Sequence, residues 1–189
     1  MDIFSGNNIK FVVGLGNPGP EYANTYHSVG FLFLDFLTKN LLSSKLEARN
    51  SKLLKSNVFM NESGLYVKKI MKKYGAKPLE ILIAHDDSDL PIGAFKLSFN
   101  RSSAGHKGAQ SVIDALGTKE FWRLRIGVRP QETKGQGSLR RQGSGGQASI
   151  KGQGLYRAKA GSFVLKKISR ADRDILTAVF EDILTTWRK

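Results

Sequence analysis

Asn17, His27 and Asp86 are the side chains in this sequence whose types and positions are best suited to chemistry. Asn17 lies on a glycine turn after an apolar run, and His27 directly precedes a strongly apolar segment. Asp86 follows a second apolar run, at residues 79–84. A carboxylate bound to one imidazole nitrogen fixes the tautomer and leaves the other nitrogen free to accept a proton. These residues therefore predict a site in which His27 acts as a general base.

The nature of the nucleophile follows from the composition of the chain. There is no cysteine, and no serine lies in a G-x-S-x-G turn, the setting of the serine nucleophile in α/β-hydrolases. A water molecule activated by His27 is then the expected nucleophile, and the expected reaction is a hydrolysis. The three histidines show no H-x-x-x-H or similar spacing, so no metal site is predicted.

The glycine turn at residues 14–19 formally matches G-x-G-x-x-G, the pattern of dinucleotide-binding turns. The match is poor, because Pro18 and Pro20 keep the chain irregular where that pattern requires a helix to begin. The acidic residue expected about 20 residues further on is also missing, since Asp35 falls inside an apolar helical pattern. A nucleotide-dependent oxidoreductase is therefore a weaker candidate than a hydrolase. If it were correct, NAD(P) should shift the melting temperature of the protein.

Hydrophobic periodicity predicts the elements that must position these side chains. Helical spacing of apolar residues occurs in four segments, at 28–42, at 62–75, at 109–116 and after a cap at Ser169. Apolar or alternating runs predict strands at 9–15, 79–84, 94–99, 124–128 and 162–165, a weaker strand at 53–54, and a carboxylate-bearing turn at 85–91.

The alternation of strands and helices predicts the fold class. We expect one α/β domain over residues 1–189, with a mixed, mostly parallel twisted sheet sandwiched between helices. Sites in such folds gather beyond the carboxyl ends of the parallel strands. The prediction is therefore that Asn17, His27 and Asp86 meet at the same edge of the sheet.

The charge of the chain indicates a polyanionic partner. Lys and Arg number 30 against 16 Asp and Glu, a formal net charge of +14. Such an excess strengthens binding to nucleic acid through counterion release, although it also serves solubility alone. Part of this positive charge lies on the polar face of the helix predicted at 62–75. It belongs to Lys68, Lys69, Lys72 and Lys73.

Four motifs, in order, resemble the bacterial-type peptidyl-tRNA hydrolase family. They lie at residues 14–22, 27–30, 59–64 and 84–91, and the order and spacing fit over about residues 9–130. The segment 163–165 and the helix after it resemble the C-terminal part of that family. The resemblance implies an enzyme that cleaves the ester between a peptide and tRNA, with no metal and no cofactor.

The same resemblance implies roles for particular residues. His27 matches the family's general base, and Asp86 matches the carboxylate that orients it. Residues expected along the substrate site are Asn17, Tyr22, Met60, Asn61 and Lys107. Lys96 and Arg125 match a basic pair that grips a terminal phosphate of the tRNA.

Most of these residues also have a purely structural interpretation. Asn17 is a common turn residue, Asn61 could cap the helix that follows it, and Asp86 could only brace its turn. Met60 is a typical core residue. Lys96 and Arg125 could be solvated strand ends, and Asp87 and Asp89 are expected to brace the 85–91 turn.

The sequence departs from the family pattern at several places. Tyr26 and Ser28 replace the usual Arg and Asn beside the histidine, and Lys107 replaces an asparagine that helps to hold substrate. The strand pair usual before residue 59 is reduced to the thin segment 46–57. Residues 134–154, rich in Gly, Gln and basic residues, form a predicted flexible insertion that contacts RNA or is an inert linker.

These departures keep a second class of function open, namely an RNA-binding protein that retains the fold with weak or no turnover. In either case we expect a cytoplasmic monomer. The N-terminal residues lack the features of a signal or transit peptide. No apolar run approaches the ~20 residues that a membrane span requires.

Overall fold

A computed structural model describes residues 8–44, 51–130 and 163–188. Within them, five strands are β1 (Phe11–Gly14), β2 (Lys52–Lys55), β3 (Ile81–Pro91), β4 (Phe95–Phe99) and β5 (Trp122–Arg129). Four α-helices are α1 (Val29–Ser44), α2 (Ser63–Tyr74), α3 (Lys107–Leu116) and α4 (Arg170–Arg188). Short 3-10 turns are Tyr26–Ser28, Met60–Glu62 and Pro78–Glu80.

The strands form one mixed sheet in the order β2-β1-β3-β5-β4. β1 is parallel to both β2 and β3, and β3 is parallel to β5, while the edge strand β4 runs antiparallel to β5. Gly14 pairs with Ala84, so β1 ends beside the middle of β3 and the residues after Ala84 extend past it. The predicted α/β class with a mostly parallel sheet is confirmed.

Helices cover both faces of the sheet because β1 and β3 are apolar on both sides. Val12 faces a cluster that includes α1 and α4, through Phe33 and Phe180, whose ring centroids lie 5.4 Å apart. Val13 faces a second cluster that includes α2 and α3, through Val67 and Val112. The two parallel central strands are therefore buried on both faces, with one layer of helices on each side.

Two predicted boundaries were wrong. Residues 85–91 are not a turn but the second half of β3, because the first three of them are buried and paired with β5. Residues 163–165 form a turn rather than a strand, and in the described part of this segment the ladder contact is an isolated bridge between Thr25 and Lys167.

The weak strand predicted at 53–54 is present as β2, parallel to β1. The insertion predicted at 134–154 lies outside the described residues, as do residues 46–50 of the thin segment predicted at 46–57. Among the helices of the described residues, none combines the length and apolar character needed to cross a bilayer.

Candidate active site

His27 is held where β1, β3 and α1 meet. It sits in the 3-10 turn that leads into α1, and its backbone N–H donates to the carbonyl of Val164 at 2.7 Å. Gly30, in the first turn of α1, packs directly on the strands: a Cβ there would lie 2.3 Å from the Ala84 oxygen and 2.6 Å from the Leu15 oxygen. Only glycine permits this approach, which sets His27 at the carboxyl edge of the sheet.

Asp86 is the centre of the site. It is buried on β3, and its Oδ1 lies 2.9 Å from Nδ1 of His27. The same oxygen lies 2.9 Å from Nε2 of His106, which precedes α3. Two imidazoles from different parts of the chain therefore share one carboxylate oxygen, and the predicted meeting of His27 with Asp86 is present in the structure.

The hydrogen-bond partners assign the tautomers of both rings. His106 accepts the Ala109 backbone N–H at Nδ1, so its proton is on Nε2 and is donated to Asp86. His27 donates from Nδ1 to the same carboxylate, which leaves Nε2 as its basic nitrogen. This arrangement is the one that a histidine general base requires.

The charge on Asp86 is stabilised by its partners. Burial by itself raises the pKa of the Asp86 carboxyl, but the electrostatic attraction and hydrogen bonds of His106 and His27 outweigh burial and hold that pKa well below its usual value. Asp86 is therefore ionised at every pH at which an imidazole can act as a base.

His85 completes a cluster that contains all three histidines of the chain. Its ring centroid lies 4.4 Å from that of His106, and its Nδ1 lies 2.6 Å from the Asp86 carbonyl oxygen, to which it donates. Burial, helped by the charges of His106 and Arg123, lowers the pKa of His85 well below its usual value. His85 is thus a neutral ring that packs against the back of the site.

His27, Asp86 and His106 also form the group in the described part of the chain that could hold a metal ion, with ligand atoms within 4.8 Å of one another. The hydrogen bonds that these side chains make do not suit metal binding. A metal on Nε2 of His106 would need that ring's proton on Nδ1, where the Ala109 N–H already points. Hydrogen bonding alone accounts for the positions of all three side chains.

Asn17 connects the glycine turn to the segment before α2. Its Oδ1 accepts the backbone N–H of Met60 at 2.8 Å, so its Nδ2 remains as a donor. Asn61 follows Met60 in the 3-10 turn and is exposed. It is not the N-cap of α2, since that position is Glu62, while the core interpretation of Met60 agrees with its 4% exposure.

An aromatic pair lies next to these amides. The Tyr22 ring meets the Phe59 ring edge-on, with centroids 6.1 Å apart. Phe59 is 48% exposed although it is a large apolar residue. The pair gives the rim near Asn17 an exposed aromatic surface, suited to stacking on a base or an apolar side chain.

The predicted basic pair also comes together. Lys96 on β4 is directly opposite Arg125 on β5, so their side chains share a face of the sheet. Arg125 donates from Nε to Oδ2 of Asp87 at 2.5 Å, whereas Lys96 is exposed. Asp87 also accepts the Asp89 N–H at 2.8 Å, which agrees with the bracing predicted for these acids. Lys107 is the exposed first residue of α3, beside His106.

Sequence reasoning missed several residues that support the site. It left His106 without a role, although a histidine just before a helix can act as an N-cap through its ring nitrogen. It treated Tyr26 only as a departure, yet Tyr26 donates to Asp172 at 2.5 Å. It assigned nothing to Lys167, whose Nζ donates to the carbonyls of Pro20, Glu21 and Ala23.

Comparisons with known proteins agree with the geometry. The family model described as peptidyl-tRNA hydrolase matches residues 11–140. The peptidyl-tRNA hydrolase of Thermodesulfovibrio yellowstonii is 43% identical over 131 residues, 62% of this chain and 70% of that protein. That of Aquifex aeolicus is 39% identical over 138 residues, 66% of this chain and 72% of that protein. The crystal structure of peptidyl-tRNA hydrolase from Acinetobacter baumannii is similar with a TM-score of 0.74 at 27% identity, covering 96% of this chain and 88% of that one.

Proposed function

This chain belongs to the peptidyl-tRNA hydrolase family, and we propose that it cleaves the ester bond of peptidyl-tRNA with a water molecule activated by His27. The observation that carries this proposal is the hydrogen bond from His27 Nδ1 to the buried Asp86 carboxylate. That bond leaves Nε2 as the base and provides a negative charge beside the ring when it becomes protonated.

The reaction proceeds by two proton transfers through His27. Nε2 accepts a proton from water as the water oxygen attacks the ester carbonyl, which gives a tetrahedral intermediate. The intermediate then collapses by breaking the bond to the tRNA oxygen, and that oxygen takes the proton back from His27. The products are a peptide with a free carboxylate and a tRNA with a free hydroxyl, and Asp86 stays ionised throughout.

Asn17 and Asn61 are suited to hold the ester during this reaction. Because the Asn17 carbonyl oxygen is occupied by the Met60 N–H, its amide NH₂ is oriented as a fixed donor. A fixed donor stabilises developing negative charge on an oxygen better than one that must reorient. Asn61 offers a second amide on the adjoining turn, and Tyr22 with Phe59 supplies the apolar contact for the substrate.

The tRNA end of the substrate requires cations. Lys96 and Arg125 stand opposite each other on β4 and β5, and we assign them to a phosphate of the tRNA. Lys96 is exposed and is in none of the ion pairs of the described residues, while Asp87 holds the guanidinium of Arg125 in a fixed orientation. Lys107, at the start of α3 beside His106, adds a cation at the rim where the substrate enters.

Release of peptide from a peptidyl-tRNA substrate tests the proposal. We expect His27→Ala to lose at least about 100-fold in kcat, the usual contribution of a positioned general base. Asp86→Asn should lose less, because an amide oxygen can still accept from the ring but carries no charge. Lys119→Ala, an exposed change at the amino end of β5, is the control and should match the wild type. Full turnover by His27→Ala would disprove the mechanism.

A second candidate is an RNA-binding protein of the same fold with little turnover. The observation that favours it is Lys107, an exposed cation at the start of α3, where the family resemblance leads us to expect a substrate-holding amide. Tight, salt-dependent RNA binding with no hydrolysis over hours would establish this candidate in place of the first.

A further inference from the structure

We propose that the outer face of α2 is a second RNA-binding surface, separate from the active site. Its cations are exposed and follow one another along the helix, at Lys68, Lys69, Lys72 and Lys73. Successive turns place Lys68 and Lys72 about 6 Å apart along the axis, and likewise Lys69 and Lys73. These spacings are shorter than the ~10 Å Debye length at 0.1 M salt, so the four charges act as one field.

Repulsion among these four lysines destabilises α2 as an isolated helix. α2 contains no acidic residue, and each like-charge pair four residues apart destabilises a helix by a few tenths of a kcal/mol. The outer face of α4 is different, because it carries charges of both signs, among them Arg173, Asp174 and Asp182. Within the same protein, a single-sign face on α2 is therefore a distinct feature and not a general property of its helices.

The surface continues past the end of α2. Tyr74 is 38% exposed and carries two cations over its ring, with the nitrogen of Lys52 at 4.1 Å and that of Lys73 at 5.3 Å from the centroid. Lys77 is exposed just beyond. Among the ion pairs of the described residues, none of the α2 lysines has a carboxylate partner. Cations beside an exposed aromatic ring are a combination that RNA-binding surfaces use.

The position of α2 separates this surface from the site proposed for the acceptor end of tRNA. The buried side of α2 packs over β1, and Tyr74 contacts Phe11 with ring centroids 5.4 Å apart. Lys96 lies on β4, three strands from β1, which is about 14 Å across the sheet. At that separation, a phosphate held at Lys96 is beyond the reach of the α2 lysines, which lie on the exposed side of their helix. The occupant is therefore an RNA segment other than the one at the active site.

RNA fits this surface better than a membrane does. A helix that binds a membrane interface inserts a broad apolar face into the lipid. The apolar side of α2 is already buried in the core through Val67 and Ile70. What remains for a partner is a row of charges and one partly exposed aromatic ring, which matches a sugar–phosphate backbone.

The test compares two variants that lose the same charge. The first carries Lys68→Gln, Lys69→Gln, Lys72→Gln and Lys73→Gln. The control carries scattered exposed changes, Lys39→Gln, Lys119→Gln, Lys166→Gln and Arg173→Gln. Glutamine keeps the helix propensity, so both proteins should fold, and thermal melting checks this. The probe is a fluorescent 20-base-pair RNA duplex of arbitrary sequence, measured by anisotropy between 50 and 200 mM KCl.

We expect the α2 variant to bind the duplex at least about tenfold more weakly at 0.1 M salt, with a log–log salt slope shallower by about 3. The scattered control should lose less than half as much. The kcat and KM for peptidyl-tRNA should stay within about twofold of wild type in the α2 variant. That rate does not depend on the second surface, so failure of the proposed hydrolysis and failure of this inference give different results.

Three outcomes would overturn the inference. Equal duplex affinity and salt slope in the α2 variant and the scattered control would show that only net charge matters. A KM for peptidyl-tRNA that rises in parallel with the duplex Kd would place α2 in the path of the substrate. Loss of binding to phosphatidylglycerol vesicles with unchanged duplex binding would assign the surface to anionic lipid.

Discussion

At the scale of residues, one carboxylate oxygen organises the site. Asp86 binds His27 and His106 with distances of 2.9 Å each, and its own backbone carbonyl accepts from His85. Each ring has a different function in consequence. His27 keeps a free basic nitrogen, His106 links Asp86 to the start of α3, and His85 fills the space behind them as a neutral ring.

Because His106 has two separate hydrogen bonds, two substitutions can distinguish its functions. His106→Ala removes both the cap on Ala109 and the donor to Asp86, whereas His106→Ser removes only the donor. We expect the serine variant to be more stable by about 1 kcal/mol in urea unfolding, the usual value of an N-cap. Both variants should lose a similar factor in kcat. Equal unfolding free energies would contradict the capping function.

The lowered pKa of His85 predicts how stability depends on pH. The unfolded chain takes up a proton on this ring below about pH 6.5, whereas the folded protein does not. The contribution of His85 to the free energy of unfolding should therefore be constant above that pH. Below it, the free energy of unfolding should decline by at most about 1.4 kcal/mol per pH unit. Urea unfolding at pH 7.5 and 5.5 measures this decline.

The matched variant for this measurement is His85→Asn, because the asparagine amide can replace the donor to the Asp86 carbonyl but does not titrate in this range. Asp86 loses its stabilising contribution only below the usual carboxyl pKa, so it does not interfere between pH 5.5 and 7.5. A decline of the same size in His85→Asn would assign the pH dependence to other groups.

At the scale of elements, the C-terminal part of the chain supports the segment that carries His27. The backbone of Lys166 accepts from Tyr26, and that of Val164 accepts from His27. Lys167 binds three carbonyls of the turn before them, and Ser169 caps α4 by accepting the Asp172 N–H at 3.1 Å. The histidine turn is thus fixed from the side opposite Asp86.

Tyr26 and Asp172 form the side-chain link in this support. Tyr26→Phe removes a hydrogen bond to a charged group, so we expect the free energy of unfolding to fall by about 1–2 kcal/mol. Asp172→Asn keeps an acceptor at the same place and should cost less. Urea unfolding of the two single variants and the double variant measures the coupling. Additive effects of the two substitutions would show that the contact is not stabilising.

At the scale of the whole molecule, the acids of the site are paired internally while many cations are exposed. Asp86 and Asp87 are buried with His and Arg partners, but Lys96 and Lys107 face solvent. In a chain with a net charge of +14, exposed cations therefore lie around a site whose carboxylates are buried. Such a distribution attracts a polyanionic substrate over a distance without altering the chemistry.

The salt dependence of catalysis tests this distribution. Raising KCl should increase KM for peptidyl-tRNA and leave kcat nearly unchanged, since Asp86 is buried and His27 is only 13% exposed. Lys96→Gln should make the slope of log kcat/KM against log salt shallower by about 0.7–0.9, the contribution of one phosphate contact. Lys119→Gln, which removes an equal charge just before the amino end of β5, should leave the slope unchanged. Equal slopes for both variants would remove Lys96 from the tRNA site.

Much of the fold could be predicted from local sequence. β1 and the first half of β3 are apolar on both faces, and α2 and α4 have clear helical periodicity. The hydrophobic pattern alone therefore identified these four elements. The second half of β3 was misassigned because its buried residues are polar. Burying such residues is favourable only with partners, and these lie far along the chain: His106 is 20 residues from Asp86, and Arg125 is 38 residues from Asp87.

The sequence by itself indicated which side chains are suited to chemistry and the sheet edge at which His27 and Asp86 meet, because both follow from residue type and from the polarity of parallel strands. Only the tertiary structure showed that one oxygen of Asp86 binds both His27 and His106. It also showed that Tyr26 donates to Asp172. Those pairings depend on distances of a few ångströms between elements that are remote in sequence. Such distances are set by how the helices pack on the sheet, and no local pattern of residues records them.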